Sequence, residues 1–235
     1  MIKNLYNHIR ILKRKYQSKK ISYSLSSVDL IVDYIFKYKN DGLYIDVGCQ
    51  HPIFNNNTYI LYKKGWNGIN IDLDKKNIDL FNISRPDDTN INIAVSDKSG
   101  NVNLFYYHDG SPINTINSQN ADYQKNKFRK IKLIKSETLN KILANINFNK
   151  KVDYLNIDVE GHELNVLKGF NILKYRPSII SIEYLDYEMK KLELKNNNLK
   201  NIINSNIYKY LIQNKYFFVN WVHGDLIFAH KNFRD

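Results

Sequence analysis

Leu43-Tyr44-Ile45-Asp46-Val47-Gly48, answered after a helix-sized gap by Gly68-Ile69-Asn70-Ile71-Asp72, decides the fold class of this chain. Each stretch is a short β-branched run that closes on an acid, and the first runs directly into a glycine. In an open α/β sheet, ligands bind beyond the carboxyl ends of the strands, and an acid closing the second strand can accept the hydroxyls of a ribose. The pair therefore reads as a site for a nucleoside cofactor. The loop Asp46-Val47-Gly48-Cys49-Gln50-His51-Pro52 lacks the G-x-G-x-x-G pattern that seats a diphosphate on backbone amides. A cofactor without a diphosphate, such as S-adenosylmethionine, fits better than NAD or FAD.

Outward from these strands, elements alternate. Helices are expected at 28–36, 59–64, 74–82, 138–144 and 162–168, with strands at 69–72, 91–95, 152–158 and 178–183. Ser26 or Ser27 is the expected cap of the first helix, and Asn57 or Thr58 of the second. Such alternation predicts a mostly parallel sheet with helices on both faces. A tail helix at 199–214 precedes two strands, 216–221 and 226–229, joined tightly through His223-Gly224-Asp225, which predicts a C-terminal antiparallel hairpin. Strands at 101–107 and 129–135 flank a polar segment, 108–127, which reads as a lid or disordered loop. The domain expectation is N-terminal basic and amphipathic helices over 1–40, then one catalytic-type domain over 41–235 with an insertion near 101–135.

Composition narrows the classes. At 235 residues and 43% hydrophobic content the chain can build one sizeable core. No uninterrupted apolar run of about 18 residues exists, and the N-terminus lacks a signal-peptide pattern. A lone cysteine, Cys49, cannot form an internal disulfide, so the expected location is cytoplasmic. The net charge of +12 is uneven: Lys3, Arg10, Lys13, Arg14, Lys15, Lys19 and Lys20 crowd the first twenty residues without an acid among them. Ile2, Leu5, Ile9, Leu12 and Tyr16 add a narrow apolar stripe at helical spacing. Docking of this helix on the chain's own core or on a second subunit is the expected reading; peripheral contact with an anionic membrane is the alternative.

Asp46-Val47-Gly48, Asn57-Thr58-Tyr59, Lys64-Gly65-Trp66-Asn67-Gly68-Ile69-Asn70-Ile71-Asp72, Ser136-Glu137-Thr138-Leu139 and Val152-Asp153-Tyr154-Leu155-Asn156-Ile157-Asp158-Val159-Glu160-Gly161-His162-Glu163 occur in this order. Together they resemble successive blocks of the FkbM family of S-adenosylmethionine-dependent methyltransferases, over about residues 41–186. The resemblance implies a Rossmann-like class I methyltransferase fold and, commonly, O-methylation of sugar hydroxyls in glycans or glycosylated metabolites. It implies that Asp46 and Gly48 form the turn under the methionine part of the cofactor, with Cys49, Asn57 and Thr58 also binding the cofactor. Asp72 would take the ribose, and Ala94, Val95 and Ser96 would flank the adenine.

Chemistry concentrates at Asp158-Val159-Glu160-Gly161-His162-Glu163. A sugar hydroxyl is a poor nucleophile, so methyl transfer to it calls for a base, and Asp158, Glu160 or His162 can remove the proton. Glu183 closes the next strand, and with Asp158 it can share a hard divalent cation that lowers the hydroxyl pKa. Glu163 reads as structural, His51 as a local hydrogen-bonding residue, and Cys49 as a small buried filler. A saccharide or glycan is the expected acceptor. An RNA or other nucleic-acid methyltransferase is the rival raised by the charge and the 18 tyrosines. Against it, no Asn/Asp-Pro-Pro-Tyr block is present, and no glutamate follows Glu193 to complete a Lys-Asp-Lys-Glu set. A non-catalytic nucleoside-binding module is disfavoured by the retained acids Asp46, Asp72 and Asp158.

Overall fold

A computed structural model describes residues 2–18, 20–123, 128–184 and 199–233. Glu193 and the end of the 108–127 insertion lie outside these residues. Helix α1 (Ile2–Ser18) and helix α2 (Val28–Ile35) precede strand β1 (Leu43–Val47). Ser27 stands at the start of α2 with φ 64° and makes no side-chain cap bond. The capping oxygen is instead Ser24 Oγ, which accepts from the Val28 amide at 3.2 Å, a correction to the expected Ser26 or Ser27 cap.

After β1 come α3 (Tyr59–Lys63), β2 (Asn67–Asp72), α4 (Lys75–Ser84), β3 (Thr89–Asn92) and β4 (Ala94–Ser96). The single strand expected at 91–95 is thus two. β3 pairs with β2 in the main sheet, whereas β4 leaves at Ile93 to pair elsewhere. β5 (Gly100–Tyr106), α5 (Ser118–Tyr123), β6 (Lys130–Thr138) and α6 (Leu139–Asn145) follow. Strands β4, β6 and β5 form a separate three-stranded sheet in that order.

Strand β7 (Tyr154–Ile157), α7 (Glu163–Lys168), α8 (Ile172–Tyr175) and β8 (Ile179–Glu183) resume the main sheet. The tail holds α9 (Leu199–Asn204), α10 (Asn206–Gln213), β9 (Tyr216–Val222) and β10 (Asp225–His230). One tail helix was expected, but Ser205 Oγ accepts from the Tyr208 amide at 3.1 Å and so starts a second helix there.

The main sheet runs β3-β2-β1-β7-β8-β10-β9. It is parallel through β8, and β10 is antiparallel to both neighbours. This is a Rossmann-like methyltransferase topology. Period-2 alternation divides its two faces. Ile45, Val47, Ile69, Ile71, Leu155, Ile157, Ile180 and Ile182 join α6, α7 and α10 in one core cluster. Tyr44, Tyr154, Ile179 and Ile227 pack on the other face with Val28 and Val32 of α2 and Leu61 of α3.

Leu5, Ile9 and Leu12 of α1 are 63%, 55% and 53% exposed, so this stripe is not docked on the described core. The expectation of docking on the chain's own core is corrected to that extent. Among the described residues, no helix is long and apolar enough to cross a membrane.

Candidate active site

The face that carries Tyr44 and Tyr154 changes character toward the carboxyl ends of the strands. Asp46 lies in register with Asn70 on one side and Asn156 on the other, and Asn156 lies in register with Ser181. All four side chains are buried. Two residues further along the same face, alternation brings Asp72, Gly48, Asp158 and Glu183 to the strand ends, with Asp225 opposite Glu183. A polar row thus underlies an acidic rim.

Asp46 is held from below rather than left open. Its carboxylate accepts from Asn156 Nδ2 at 2.8 Å, Thr58 Oγ1 at 2.8 Å and Asn56 Nδ2 at 3.2 Å. Burial pushes its pKa up, while Asn156 and the nearby Arg85 guanidinium pull it back. Arg85 is itself fully buried. It donates to Thr58 Oγ1 at 2.8 Å, Asn56 Oδ1 at 2.7 Å and Tyr44 Oη at 3.1 Å, and also to the Pro52 carbonyl. Thr58 therefore links a buried cation to a buried anion, which explains why its hydroxyl does not cap α3.

A cavity of about 290 Å³ lies over the strand ends, lined by Asp46, Gly48, Cys49, Asn57, Asp72, Ala94, Val95, Asp158 and Glu160, among others. That size is near the lower edge of ligand pockets, roughly 300–1,000 Å³. Asp72 Oδ1 accepts from the Asp74 amide at 2.7 Å and from Asn77 Nδ2 at 3.2 Å; Oδ2 accepts from the Gln50 amide at 2.9 Å. Counting lone pairs leaves one acceptor position on Oδ2, suited to a hydroxyl donor. Burial raises Asp72 to about 6, against the pull of the Asp74 and Gln50 amides.

Thr58, Ser96 and His162 are not on the cavity wall. Ser96 Oγ lies 2.9 Å from His162 Nε2 and donates to Asp97 Oδ1 at 3.1 Å, so the His162 ring is engaged at the end of β4. His51 accepts at Nδ1 from the Ile53 and Phe54 amides, at 3.1 and 2.9 Å, the local role expected of it. Cys49 is buried, which pushes its thiol pKa well up. Glu163 Oε1 accepts from the Val159 and Gly161 amides at 3.1 and 2.9 Å, holding the turn before α7.

The acidic rim is electrostatically crowded. Burial drives Asp158 well above the usual carboxylate range, and the charges of Glu160 and Asp225 add to it. Glu160 is raised to about 7 by burial, tempered by a 3.3 Å hydrogen bond from Asn120. Its backbone is left-handed at φ 56°, a conformation most side chains avoid. The insertion holds it there: Thr115 Oγ1 and Asn120 Nδ2 donate to the Glu160 carbonyl at 2.8 and 2.7 Å. At its other end, the Gly110 amide donates to Asp74 Oδ2 at 2.7 Å, and Ser111, Pro112 and Asn114 line the cavity. Residues 110–120 of the insertion are thus tied both to Asp74 and to the Glu160 turn.

Sequence reasoning gave no role to Asn56, Asn156, Arg85 or His223, although His223 lines the cavity. A signal was present: Asn70, Asn156 and Ser181 each stand two positions before a strand-end acid. The family model described as the methyltransferase FkbM domain matches residues 46–212, which contain both rows. No curated protein and no solved structure matches the chain.

Proposed function

The chain belongs to the FkbM methyltransferase family, and on that premise we propose that it is an S-adenosylmethionine-dependent O-methyltransferase acting on a saccharide hydroxyl. The observation that carries the reading is that Asp72, the acid closing β2, and the acids Asp158 and Glu160 line one cavity. Asp72 Oδ2 would receive a ribose hydroxyl, and Ile93, Ala94 and Val95, which line the cavity, would face the adenine. Asp46 works indirectly, fixing the loop through Asn56 and Thr58. Bound S-adenosylmethionine supplies a methyl group already activated on a sulfonium.

What the protein must add is a place for the acceptor and a destination for its proton. Asp158 and Glu160 offer carboxyl oxygens on the cavity wall, and one of them in its ionised form would accept the proton of an acceptor alcohol. His162 is a poorer candidate because its Nε2 is engaged by Ser96. Polar side chains at Asn55 and His223 on the cavity wall suit a polyhydroxylated acceptor better than an apolar one.

Labelled S-adenosylmethionine incubated with oligosaccharide and RNA acceptors tests the reading. Base-stable label on a saccharide supports it. Label on RNA alone would replace it with the nucleic-acid reading.

A further inference from the structure

Three of the rim acids lie close together. One carboxylate oxygen from each of Asp158, Glu160 and Glu183 lies within 4.8 Å of the other two. Like charges at this spacing repel strongly when partly shielded from water. The strongest charges acting on Asp158 are other acids: Glu160, then Asp225, Glu163 and Asp46. Glu183 Oε2 is buried with no donor, its side chain meeting another acid, Glu163, although the residue lines the cavity. An orphaned acceptor of this kind is costly unless something positive meets it.

We infer that Asp158, Glu160 and Glu183 form a binding site for one hard divalent cation, of the Mg²⁺, Mn²⁺ or Ca²⁺ class. The donor set is all oxygen, which selects hard ions over zinc or copper. Two oxygens bound to one ion at about 2.1–2.4 Å stand at most about 4.2–4.8 Å apart, and every pair among the three carboxylate oxygens falls within the upper limit of that range. The elements that set the spacing are rigid: Glu183 ends β8, Asp158 follows its neighbour β7, and the insertion clamps Glu160 through Thr115 and Asn120. Water and an acceptor hydroxyl complete the shell from the cavity side. Binding of the ion does not depend on the methyl-transfer reading; only its role, lowering the pKa of an acceptor hydroxyl, rests on it.

The test is Mn²⁺ titration of the full chain followed by electron paramagnetic resonance, without cofactor or acceptor, so that failure here is separable from failure of the methyl-transfer reading. One tight Mn²⁺ per chain is expected, displaced by excess Mg²⁺ or Ca²⁺. Glu183→Gln should weaken it by about tenfold or more, at least the cost of losing an outer-shell partner. Asp79→Asn, at an exposed position on α4, should leave it unchanged. Glu160→Gln decides the matter should Glu183→Gln fail to fold. Absence of Mn²⁺ binding at millimolar concentration, or equal affinity in wild type and a folded Glu183→Gln or Glu160→Gln variant, would overturn the site.

Discussion

A Cβ placed on Gly48 would lie 1.7 Å from the carbonyl oxygen of Asp158. Gly48 also has φ 81°, so its backbone is left-handed. The family resemblance implies that this glycine lies under the methionine part of the cofactor. The structure shows a prior demand: the first loop and the acidic turn touch through it, so the two form one packed unit.

Gly48→Ala should therefore destabilise the whole protein rather than only weaken ligand binding. Left-handed strain contributes about 1–2 kcal/mol, and a steric clash that must move backbone about 1–3 kcal/mol more. Denaturant unfolding should show a loss of about 2–5 kcal/mol. A change within about 0.5 kcal/mol, typical of neutral surface sites, would contradict this packing argument.

Asp158→Asn and Glu160→Gln should each slow methyl transfer while leaving cofactor affinity near wild type. Loss of a general base typically costs about 10²–10⁴-fold. Single-turnover rates at saturating S-adenosylmethionine read this directly. Near-normal rates in both variants would remove these acids from the proton path.

Asp72 makes a pH-dependent prediction. Its carboxyl is raised to about 6 from an ordinary 3.8, so the folded chain holds this proton more tightly than the unfolded chain does. Its contribution to stability is therefore greatest at low pH and is lost as pH rises through the interval from 3.8 to about 6. Cofactor binding runs the opposite way, because ribose hydroxyls donate best to the ionised form. Affinity should fall by up to about tenfold per pH unit below the folded pKa. Calorimetry between pH 5 and 8 checks it; Asp72→Asn should flatten this dependence, and an identical profile in that variant would assign the effect elsewhere.

The basic helix α1 should be dispensable for cofactor binding, since Leu5, Ile9 and Leu12 are exposed and none of them lines the cavity. Deleting residues 1–20 should leave cofactor affinity unchanged. The same truncation should abolish self-association if α1 docks on a second subunit, or salt-sensitive sedimentation with anionic vesicles if it lies on a membrane. Each Lys or Arg near such a surface adds about 1 kcal/mol, screened by salt. Loss of cofactor binding in the folded truncation would contradict dispensability.

What was legible in the sequence follows from the range of the interactions involved. β1, β2, β7 and β8 are buried parallel strands, and their β-branched runs announce them without help from distant residues. The break at Ile93 was not legible, because it depends on β4 pairing with Ser136–Thr138 rather than on local propensity. Asp46 was read correctly as a strand-end acid, but its donors include Asn156, 110 residues away. Arg85 reads as a surface residue by type and is buried because four acceptors converge on it. His162 stands in the expected turn, yet its ring faces Ser96, a direction set by a contact across 66 residues.

The central claim is that this cavity binds S-adenosylmethionine with Asp72 on the ribose, and isothermal titration of the wild type and Asp72→Ala tests it most directly. Saturable binding of one cofactor per chain is predicted, weakened in folded Asp72→Ala by about 1.5–3 kcal/mol, the worth of a hydrogen bond to a charged group. Undetectable binding by the wild type, or unchanged affinity in the folded variant, would contradict the account.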